Sequence, residues 1–268
     1  MRFYDVVWLR LPPPLPFDFL DFLIQKFSTQ LIINNPAGIY KTGSKEFLIH
    51  FPQLCPPMQV CRSLEDIESL KNQFPIVLKP FREYGGRGII RIDNNRVWEG
   101  NQQSTFAEFS ETLKGKSIQY LGVKFLKNVG QGDKRIIVVD GQIMGASLRL
   151  PATNSWLCNV AMGGSAQVSQ VDDEEVAMIE TVNPILSKMG ICMYGIDTLM
   201  GDNGKRVLSE INTTSIGGLP QLAKQQGKPL VKETANLLWN YIHQKIGKER
   251  VQSGFVPNNW VGENKSNF

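Results

Sequence analysis

The chain has 268 residues, of which 42% are hydrophobic and 20% are charged; these proportions are typical of a globular protein of one large domain or two lobes. The net charge of +4 comes from scattered lysines and arginines, which gives no support for a nucleic-acid surface. With two histidines and no apolar run near the roughly 20 residues of a membrane helix, we expect no Ser-His-Asp triad, no histidine-based zinc site and no membrane span.

The N-terminal residues predict a strand, a helix and a second strand. Apolar side chains run through 3–9, recur at helical spacing over 17–28 and return at 31–33, where Asn34 and the residues after it end the strand. This piece is too small to form its own core. Charges and prolines interrupt any signal-peptide pattern, so the sequence predicts a cytoplasmic protein. The cysteines are then expected to be free thiols, namely Cys55, Cys61, Cys158 and Cys192.

The next part of the chain alternates helices with short strands. Helices are predicted over 44–51, over 63–72 with Ser63 as a capping residue, and over 104–114. Strands are predicted over 76–80, 89–92 and 117–126. The first two of these strands are joined by a glycine loop, so we expect them to pair.

A hairpin and a helix follow. The hairpin is predicted over 134–150 with its turn at Asp140-Gly141, and the helix over 172–189 has an acidic first turn that favours its N-terminus. Pro184 lies inside the helical pattern and predicts a kink or a break.

A second hairpin around Asn203-Gly204 precedes a last helix over 229–246, and from Gly247 the chain reads as a polar tail. Helices and antiparallel hairpins alternate in blocks. The sequence therefore predicts an α+β fold rather than a doubly wound parallel sheet.

The second hairpin carries the most informative pattern. Asn-Gly is the strongest signal for a two-residue type I′ turn, and the ladder extended from that turn places Asp197 opposite Glu210, with Asn212 on the same face. Facing carboxylates repel unless a cation lies between them, and two carboxylates with an amide oxygen suit Mg²⁺ that carries phosphates. The alternative is an acidic pair on a solvated sheet face, relieved by Lys205 or Arg206.

The glycine loop is the second pattern with chemical content. The chain contains no P-loop and no Gly-x-Gly-x-x-Gly, so a nucleotide site must have another design. Lys79 ends an apolar strand just before Gly85, Gly86 and Gly88. The lysine and the loop N–H groups could bind phosphates, and the loop could move as a lid. The alternative is an exposed hairpin tip with a solvated lysine.

Two further segments fit the same chemistry. The linker that ends the strand at Lys124, Phe125 and Leu126 could offer backbone groups and an apolar wall to a purine, or it could be an ordinary strand end. Arg135 and Arg149 are predicted on adjacent strands of the first hairpin. Two guanidinium groups near a carboxylate pair suggest that an anion is bound there, with surface ion pairing as the alternative.

Several segments occur together and in order along the chain: Gly43-Ser44-Lys45, Lys79 with its glycine loop, Gly132 to Gly141, Arg149-Leu150-Pro151, Asn159 to Gly164, Gly195-Ile196-Asp197 and Glu210 to Ser215. Taken together they resemble the ATP-grasp ligases and are most similar to bacterial glutathione synthetase. The resemblance implies two α+β lobes that hold ATP between antiparallel sheets. It divides the chain into a remnant of an N-terminal domain at 1–40, a small lobe at 41–126, a large lobe at 127–246 and a tail at 247–268.

The resemblance also implies a role for each candidate residue. Phosphates would be held by Lys45 and Lys79 under a loop formed by Tyr84, Gly85, Gly86 and Gly88. Adenine would lie at Lys124, Phe125 and Leu126, with the ribose near Asp133. Mg²⁺ would be bound by Asp197, Glu210 and Asn212. The transferring phosphoryl group would be stabilised by Arg149, Arg135 and Asn159.

The implied activity is an ATP- and Mg²⁺-dependent ligase that phosphorylates a carboxylate and joins it to an amine, by positioning and charge neutralisation. Its partners would be small-molecule or peptide substrates, and a homo-oligomer is compatible with this activity. Two departures from the family stand out: most of its larger N-terminal domain is missing, and Leu157 occupies the position of an arginine. The alternatives are therefore a ligase that extends a peptide or protein tail, and a non-catalytic ATP-binding protein or subunit whose acceptor site comes from a separate partner.

Overall fold

The computed structural model of the chain describes residues 4–12, 15–151 and 165–252. These residues form a six-stranded sheet, a five-stranded sheet and a two-stranded sheet, with helices between the strands. Both large sheets are antiparallel throughout, so the predicted α+β class is confirmed.

The N-terminal segment forms the predicted strand–helix–strand unit. Its elements are β1 (Val6–Trp8), α1 (Phe17–Lys26) and β2 (Leu31–Ile33), and the two strands pair in parallel. The side chain of Asn35 then caps α2 (Pro36–Thr42), which the sequence pattern did not predict. The residues that end β2 also begin a helix, because asparagine is a favoured N-cap and proline fits the first helical turn.

Asn34 attaches this unit to the five-stranded sheet. Its Nδ2 donates to the carbonyl oxygens of Met193 at 2.6 Å and Thr213 at 2.8 Å, and its Oδ1 accepts from the N–H groups of Cys192 at 2.8 Å and Met193 at 2.9 Å. Ile33 is buried in the same hydrophobic cluster as Cys192 and Met193. The segment therefore shares the core of the five-stranded sheet.

The six-stranded sheet has the order β3-β8-β4-β5-β6-β7. Its strands are β3 (Met58–Cys61), β4 (Ile76–Pro80), β5 (Ile90–Asp93), β6 (Arg96–Glu99), β7 (Gln102–Thr105) and β8 (Tyr120–Lys124). Helices α3 (Leu64–Lys71) and α4 (Phe106–Leu113) cover it, and each begins with a capping box. The predicted Ser63 cap and the pairing of the strands that flank the glycine loop are confirmed. A helix was predicted over 44–51, and residues 45–50 form a 3₁₀ helix.

The five-stranded sheet has the order β11-β10-β9-β12-β13. Its strands are β9 (Asp133–Val139), β10 (Gln142–Leu150), β11 (Ser165–Ser169), β12 (Met193–Met200) and β13 (Arg206–Asn212). The turn between β9 and β10 is at Asp140 and Gly141, with φ values of 47° and 78°. Positive φ at both residues is the signature of a type I′ turn, and the predicted position of the hairpin turn is confirmed.

The turn between β12 and β13 differs from the prediction. Gly204 has a φ of 79°, whereas Asn203 is not among the described non-glycine residues with positive φ. The N–H of Gly204 donates to the carbonyl of Gly201, and the N–H of Gly201 donates to the carbonyl of Lys205. This is a three-residue loop in which a turn is followed by a left-handed glycine. The predicted type I′ turn at Asn203-Gly204 is therefore wrong.

The predicted pairing on this hairpin is nevertheless confirmed. Thr198 pairs with Leu208, one residue out of the predicted register, but a β-bulge at Ser209 then restores it, and Asp197 pairs with Glu210. The longer turn shifts the register by one residue and the bulge shifts it back.

Three helices complete the fold: α5 (Asp173–Lys188), α6 (Leu219–Gln226) and α7 (Leu230–Gln252). Pro184 does not break α5, because the carbonyl that loses its partner belongs to the solvent-exposed Glu180. Helix α7 continues past the predicted end at residue 246, through Gly247. None of the helices in the described ranges combines the length and apolar character that crossing a bilayer requires.

Candidate active site

A cavity of about 350 Å³ lies between the two large sheets. Most of the predicted site residues line it: Lys45, Lys79, Tyr84, Gly85, Gly86, Lys124, Phe125, Leu126, Asp133, Arg135, Arg149, Glu210 and Asn212. Asp197 lies behind the lining, paired with Arg135 and Arg149, and Gly88 packs against Pro80 instead of lining the cavity. Asn159, and with it Leu157 and Cys158, lies outside the described residues.

Two lysines reach the cavity beside the glycine loop. Lys79, near the end of β4, donates from Nζ to Oγ of Ser209 at 3.0 Å and to its carbonyl oxygen at 3.3 Å. Burial lowers the pKa of Lys79, although Glu210 opposes this shift. Lys45 follows Ser44 at the start of the 3₁₀ helix, and its Nζ lies 3.4 Å from Oε1 of Glu210. A cluster of cations therefore faces the carboxylate end of the hairpin.

The glycine loop closes one side of the cavity. Gly85, Gly86 and Gly88 have φ values of 69°, 79° and 65°, a conformation that side chains with a Cβ rarely adopt. The Tyr84 hydroxyl donates to the carbonyl of Gly43 at 2.9 Å, and the Nζ of Lys45 donates to the carbonyl of Glu83. These contacts hold the loop against the segment that begins the 3₁₀ helix.

The linker after β8 forms the apolar end of the cavity. The apolar lining residues near it include Val77, Ile89, Val123, Phe125, Leu126, Leu199 and Leu208. The guanidinium carbon of Arg91 lies 4.0 Å from the ring centroid of Phe125, a distance at which a cation–π contact supports the ring. The N–H groups of Lys124 and Phe125 donate to the carbonyls of Pro57 and Pro75, so these two donors are engaged within the protein.

Four charged side chains on β9, β10 and β12 form a network at the cavity. Arg135 donates from Nε and Nη2 to the two oxygens of Asp197, at 2.7 and 2.6 Å. Arg149 donates from Nε and Nη2 to the two oxygens of Asp133, at 2.5 and 2.8 Å, and its Nη2 also lies 2.9 Å from Oδ2 of Asp197. Asp197 is 3% exposed, so its charge is balanced by these arginines and not by water.

The two carboxylates of this network differ in pKa. Burial and the nearby Asp197 raise the pKa of Asp133 to about 6, against the opposing effect of Arg149. Burial also disfavours the charge on Asp197, but Arg135 and Arg149 together hold the pKa of its carboxyl well below the usual range. Both arginines in turn have raised pKa values, because the carboxylates outweigh the desolvation of the guanidinium groups. The network therefore keeps Asp197 charged.

The structure excludes the interpretation that Asp197 and Glu210 lie on a solvated sheet face and are neutralised by Lys205 or Arg206. Lys205 pairs with Glu174 at 3.1 Å, and Nη1 of Arg206 donates to the carbonyls of Gly132 and Thr198 at 3.0 and 3.2 Å. Neither cation relieves the pair. The opposing charge comes instead from Arg135, Arg149 and Lys45, residues distant in sequence.

Two serines of the cavity were not predicted. Ser209 lies at the bulge and binds Lys79, and the bulge cannot be read from a regular strand pattern. Ser215 also lines the cavity, and its Oγ is buried without a hydrogen-bond partner in the part of the chain that the structure describes. Its position in the segment Thr213-Thr214-Ser215, directly after the candidate metal ligands, was the available signal.

Comparisons with known proteins agree with the fold. The family described as "Prokaryotic glutathione synthetase, ATP-grasp domain" matches residues 44–227. The chain is 32% identical to a glutathione synthetase of Bradyrhizobium diazoefficiens over 249 residues, which cover 91% of this chain and 74% of that protein. It is 30% identical to a glutathione synthetase of Rhodopseudomonas palustris, over 91% of this chain and 75% of that protein.

Solved structures resemble the chain more distantly. A D-alanine–D-alanine ligase from Bacillus anthracis, complexed with ATP, has a TM-score of 0.61 at 16% identity, over 91% of this chain and 82% of that one. A RimK domain ATP-grasp protein from Sphaerobacter thermophilus has a TM-score of 0.61 at 15% identity, over 87% and 81%. At these identities the likeness concerns the fold alone.

Proposed function

The chain belongs to the prokaryotic glutathione synthetase family of ATP-grasp ligases, and we propose that, as an ATP-dependent carboxylate–amine ligase, it works with Mg²⁺ and through an acyl phosphate in the cavity between its two large sheets. One observation carries this proposal: cationic side chains, a glycine loop, an apolar wall and a carboxylate–amide set from distant parts of the chain converge on one cavity.

The nucleotide would lie along the cavity from its apolar to its charged end. We assign the base to the wall formed by Phe125 and Leu126, and the phosphates to Lys45, Lys79 and the N–H groups of the glycine loop. Since Lys79 and Lys45 already contact Ser209 and Glu210, they are directed toward the metal-ligand end of β13. In this assignment, residues 41–126 and 127–246 act as the two lobes that hold the nucleotide.

The predicted metal ligands suit Mg²⁺ by their chemistry. Glu210 and Asn212 line the cavity, and Asp197 lies opposite Glu210 in the sheet, which gives two carboxylates and one amide oxygen. Within the described ranges, no three His, Cys, Asp or Glu side chains form a metal-binding group by themselves. The site would therefore depend on Asn212 and on phosphate and water oxygens, as Mg²⁺ sites commonly do. The metal would neutralise charge on the phosphates.

The reaction would proceed in two steps. An oxygen of the acceptor carboxylate attacks the γ-phosphorus of ATP, the bond to ADP breaks, and an acyl phosphate forms. The amine then attacks the acyl carbon, phosphate leaves with the bonding electron pair, and the nitrogen loses a proton to give the amide. Arg149 and Arg135 would stabilise the negative charge on the transferring group, which needs positioning rather than a histidine base.

The substrates are a carboxylate and an amine of small molecules or peptides. The relatives are named glutathione synthetases, so the glutathione precursor dipeptide with glycine is the first pair to test. Amino acids paired with other peptides form the second panel.

The test is ADP release with these panels. Asp197→Asn and Glu210→Gln are expected to lower turnover by at least roughly a hundredfold, because loss of metal binding removes several kcal/mol of charge stabilisation. Glu174→Gln is the matched control, since Glu174 is exposed, pairs with Lys205 and does not line the cavity; it should retain turnover within about twofold.

Undiminished turnover in both site variants would contradict the metal assignment. Binding of MgATP without turnover on any panel would favour a subunit that needs a partner for its acceptor site.

A further inference from the structure

The carboxylate of Asp197 is already saturated by cationic groups of the protein. Its Oδ1 accepts from Nε of Arg135 at 2.7 Å, and its Oδ2 accepts from Nη2 of Arg135 at 2.6 Å. The Oδ2 atom also lies 2.9 Å from Nη2 of Arg149 and 3.3 Å from Nδ2 of Asn212. A group assigned to hold Mg²⁺ thus has two guanidinium groups in the space where a metal would bind.

A divalent metal and both arginines cannot share this carboxylate. Mg²⁺ needs its oxygen ligands at about 2.0–2.1 Å, and its charge would repel guanidinium nitrogens on the same oxygens. The amide of Asn212 also presents its nitrogen to Asp197, so it must turn before its oxygen can face a metal. Metal binding at Asp197 therefore requires that at least one of these cations leaves.

The geometry indicates which arginine is exchanged. Arg135 binds both oxygens of Asp197 with two nitrogens, whereas Arg149 binds both oxygens of Asp133 and reaches Asp197 with Nη2 alone, at 2.9 Å. Asp133 and Arg149 are register partners on β9 and β10, and their side chains are 14% and 11% exposed. Arg149 can leave Asp197 and still be held by a buried bidentate partner.

We propose that Arg149 is the exchangeable cation of Asp197: it balances that carboxylate while no divalent metal is bound, and Asp133 retains it at the cavity when the metal takes its place. Asp133 is then a positioning residue that acts through Arg149. This inference rests on the proposed function, since it assumes that the ligand exchanged is the metal of the ligase site. The exchange makes Arg149 available to an anionic group only after the metal has bound.

The test is Mn²⁺ binding to the full chain near pH 7.5, measured as free Mn²⁺ by electron paramagnetic resonance, with and without a non-hydrolysable ATP analogue. Without nucleotide, Arg149→Met is expected to tighten Mn²⁺ binding about tenfold, because a competing cation is lost from Asp197. Asp133→Asn is expected to weaken binding about tenfold, because Arg149 then turns fully to Asp197. A purely structural ion pair would change the affinity in the same direction in both variants.

Three further variants fix the interpretation. Asp197→Asn should abolish the nucleotide-independent binding, and Lys205→Met, which removes an exposed cation of the same hairpin, should leave it within about twofold. Thermal unfolding checks each variant for folding; if Arg149→Met does not fold, Arg149→Lys, which lacks the planar fork, should tighten binding to a smaller extent.

Unchanged or weaker Mn²⁺ binding in Arg149→Met would overturn the exchange while leaving the ligase proposal intact. If the wild-type chain binds no Mn²⁺ even with the nucleotide analogue, both the metal assignment and the exchange are overturned.

Discussion

Asp133 and Asp197 show how one network of charges gives two carboxylates opposite behaviour. Both are buried, but Asp197 receives two arginines, whereas Asp133 shares one of them and faces the charge of Asp197. The pKa of Asp133 is raised to about 6 by burial and by Asp197, and the pKa of Asp197 is lowered by the arginines against the effect of burial. At neutral pH both are charged. Because the pKa of Asp133 is raised, its ionisation in the folded state lowers the free energy of unfolding.

The raised pKa of Asp133 predicts that the free energy of unfolding depends on pH, and that Asp133→Asn removes this dependence. Between the unfolded value of about 3.9 and the folded value of about 6, the folded state binds a proton that the unfolded state does not. The stabilisation from this proton is fully present below about pH 4 and is lost as the pH rises through 6. Urea denaturation should show the wild type losing on the order of 2 kcal/mol relative to Asp133→Asn between about pH 4 and 7.

Asp202→Asn is the control for this pH series. A hydrogen bond from Lys124 lowers the pKa of Asp202, so its contribution is present above about pH 3.9 and is lost only at lower pH. The difference between wild type and Asp202→Asn should therefore stay constant over the same range. A constant difference for Asp133→Asn as well would contradict the raised pKa.

The β12–β13 hairpin is the element that brings Asp197 opposite Glu210. Its turn has one residue more than the predicted type I′ turn, and the bulge at Ser209 compensates for that residue. The bulge also presents the Oγ and the carbonyl of Ser209 to Lys79, which lies on β4 of the six-stranded sheet. The irregularity thus preserves the carboxylate pairing and supplies a contact between the two large sheets.

The observed turn predicts an asymmetric effect of alanine substitutions. Gly204 has a φ of 79°, and a Cβ placed there would meet no atom within 4 Å, so Gly204→Ala should cost about 1 kcal/mol through backbone strain alone. Gly130→Ala is the matched control, since Gly130 is equally open and is not in the left-handed region; it should change stability by less than about 0.5 kcal/mol. Chemical denaturation measures both, and equal effects would argue against the turn.

At the scale of the whole molecule, the N-terminal segment is part of the core of the five-stranded sheet. Asn34 uses all four of its side-chain hydrogen-bonding positions on the backbone of β12 and of the segment after β13. The same stretch after β13 continues to Ser215 and Ile216 at the cavity. The segment therefore supports the backbone from which one side of the cavity is built.

Asn34→Ala should accordingly destabilise the whole chain. It leaves buried backbone groups of Cys192, Met193 and Thr213 without partners, and each such group costs about 1–3 kcal/mol, so a loss of roughly 3 kcal/mol or more is expected. The control is Asn72→Ala at the exposed end of α3, with an expected change below about 0.5 kcal/mol. A loss below about 1 kcal/mol for Asn34→Ala, measured by denaturation, would contradict the role of this segment.

Local signals in the sequence determined most of the elements. The cap at Ser63, the hairpin turn at Asp140-Gly141 and the strands that flank the glycine loop follow from interactions within a few residues, and the structure confirms each of them. The pairing of Asp197 with Glu210 is also confirmed, although its predicted cause, the turn at Asn203-Gly204, is wrong.

Only the tertiary structure decided which charges meet. The sequence offered Lys205 and Arg206 as neighbours of the acidic pair, yet Arg135, Arg149 and Lys45 balance it, because the folding of β9, β10 and the 3₁₀ helix around the hairpin sets those distances. The contact of Ser209 with Lys79 and the attachment of Asn34 were equally hidden, since both depend on partners more than a hundred residues away. The sequence by itself thus determined the family, the elements and the candidate residues, while packing determined which of those residues are neighbours.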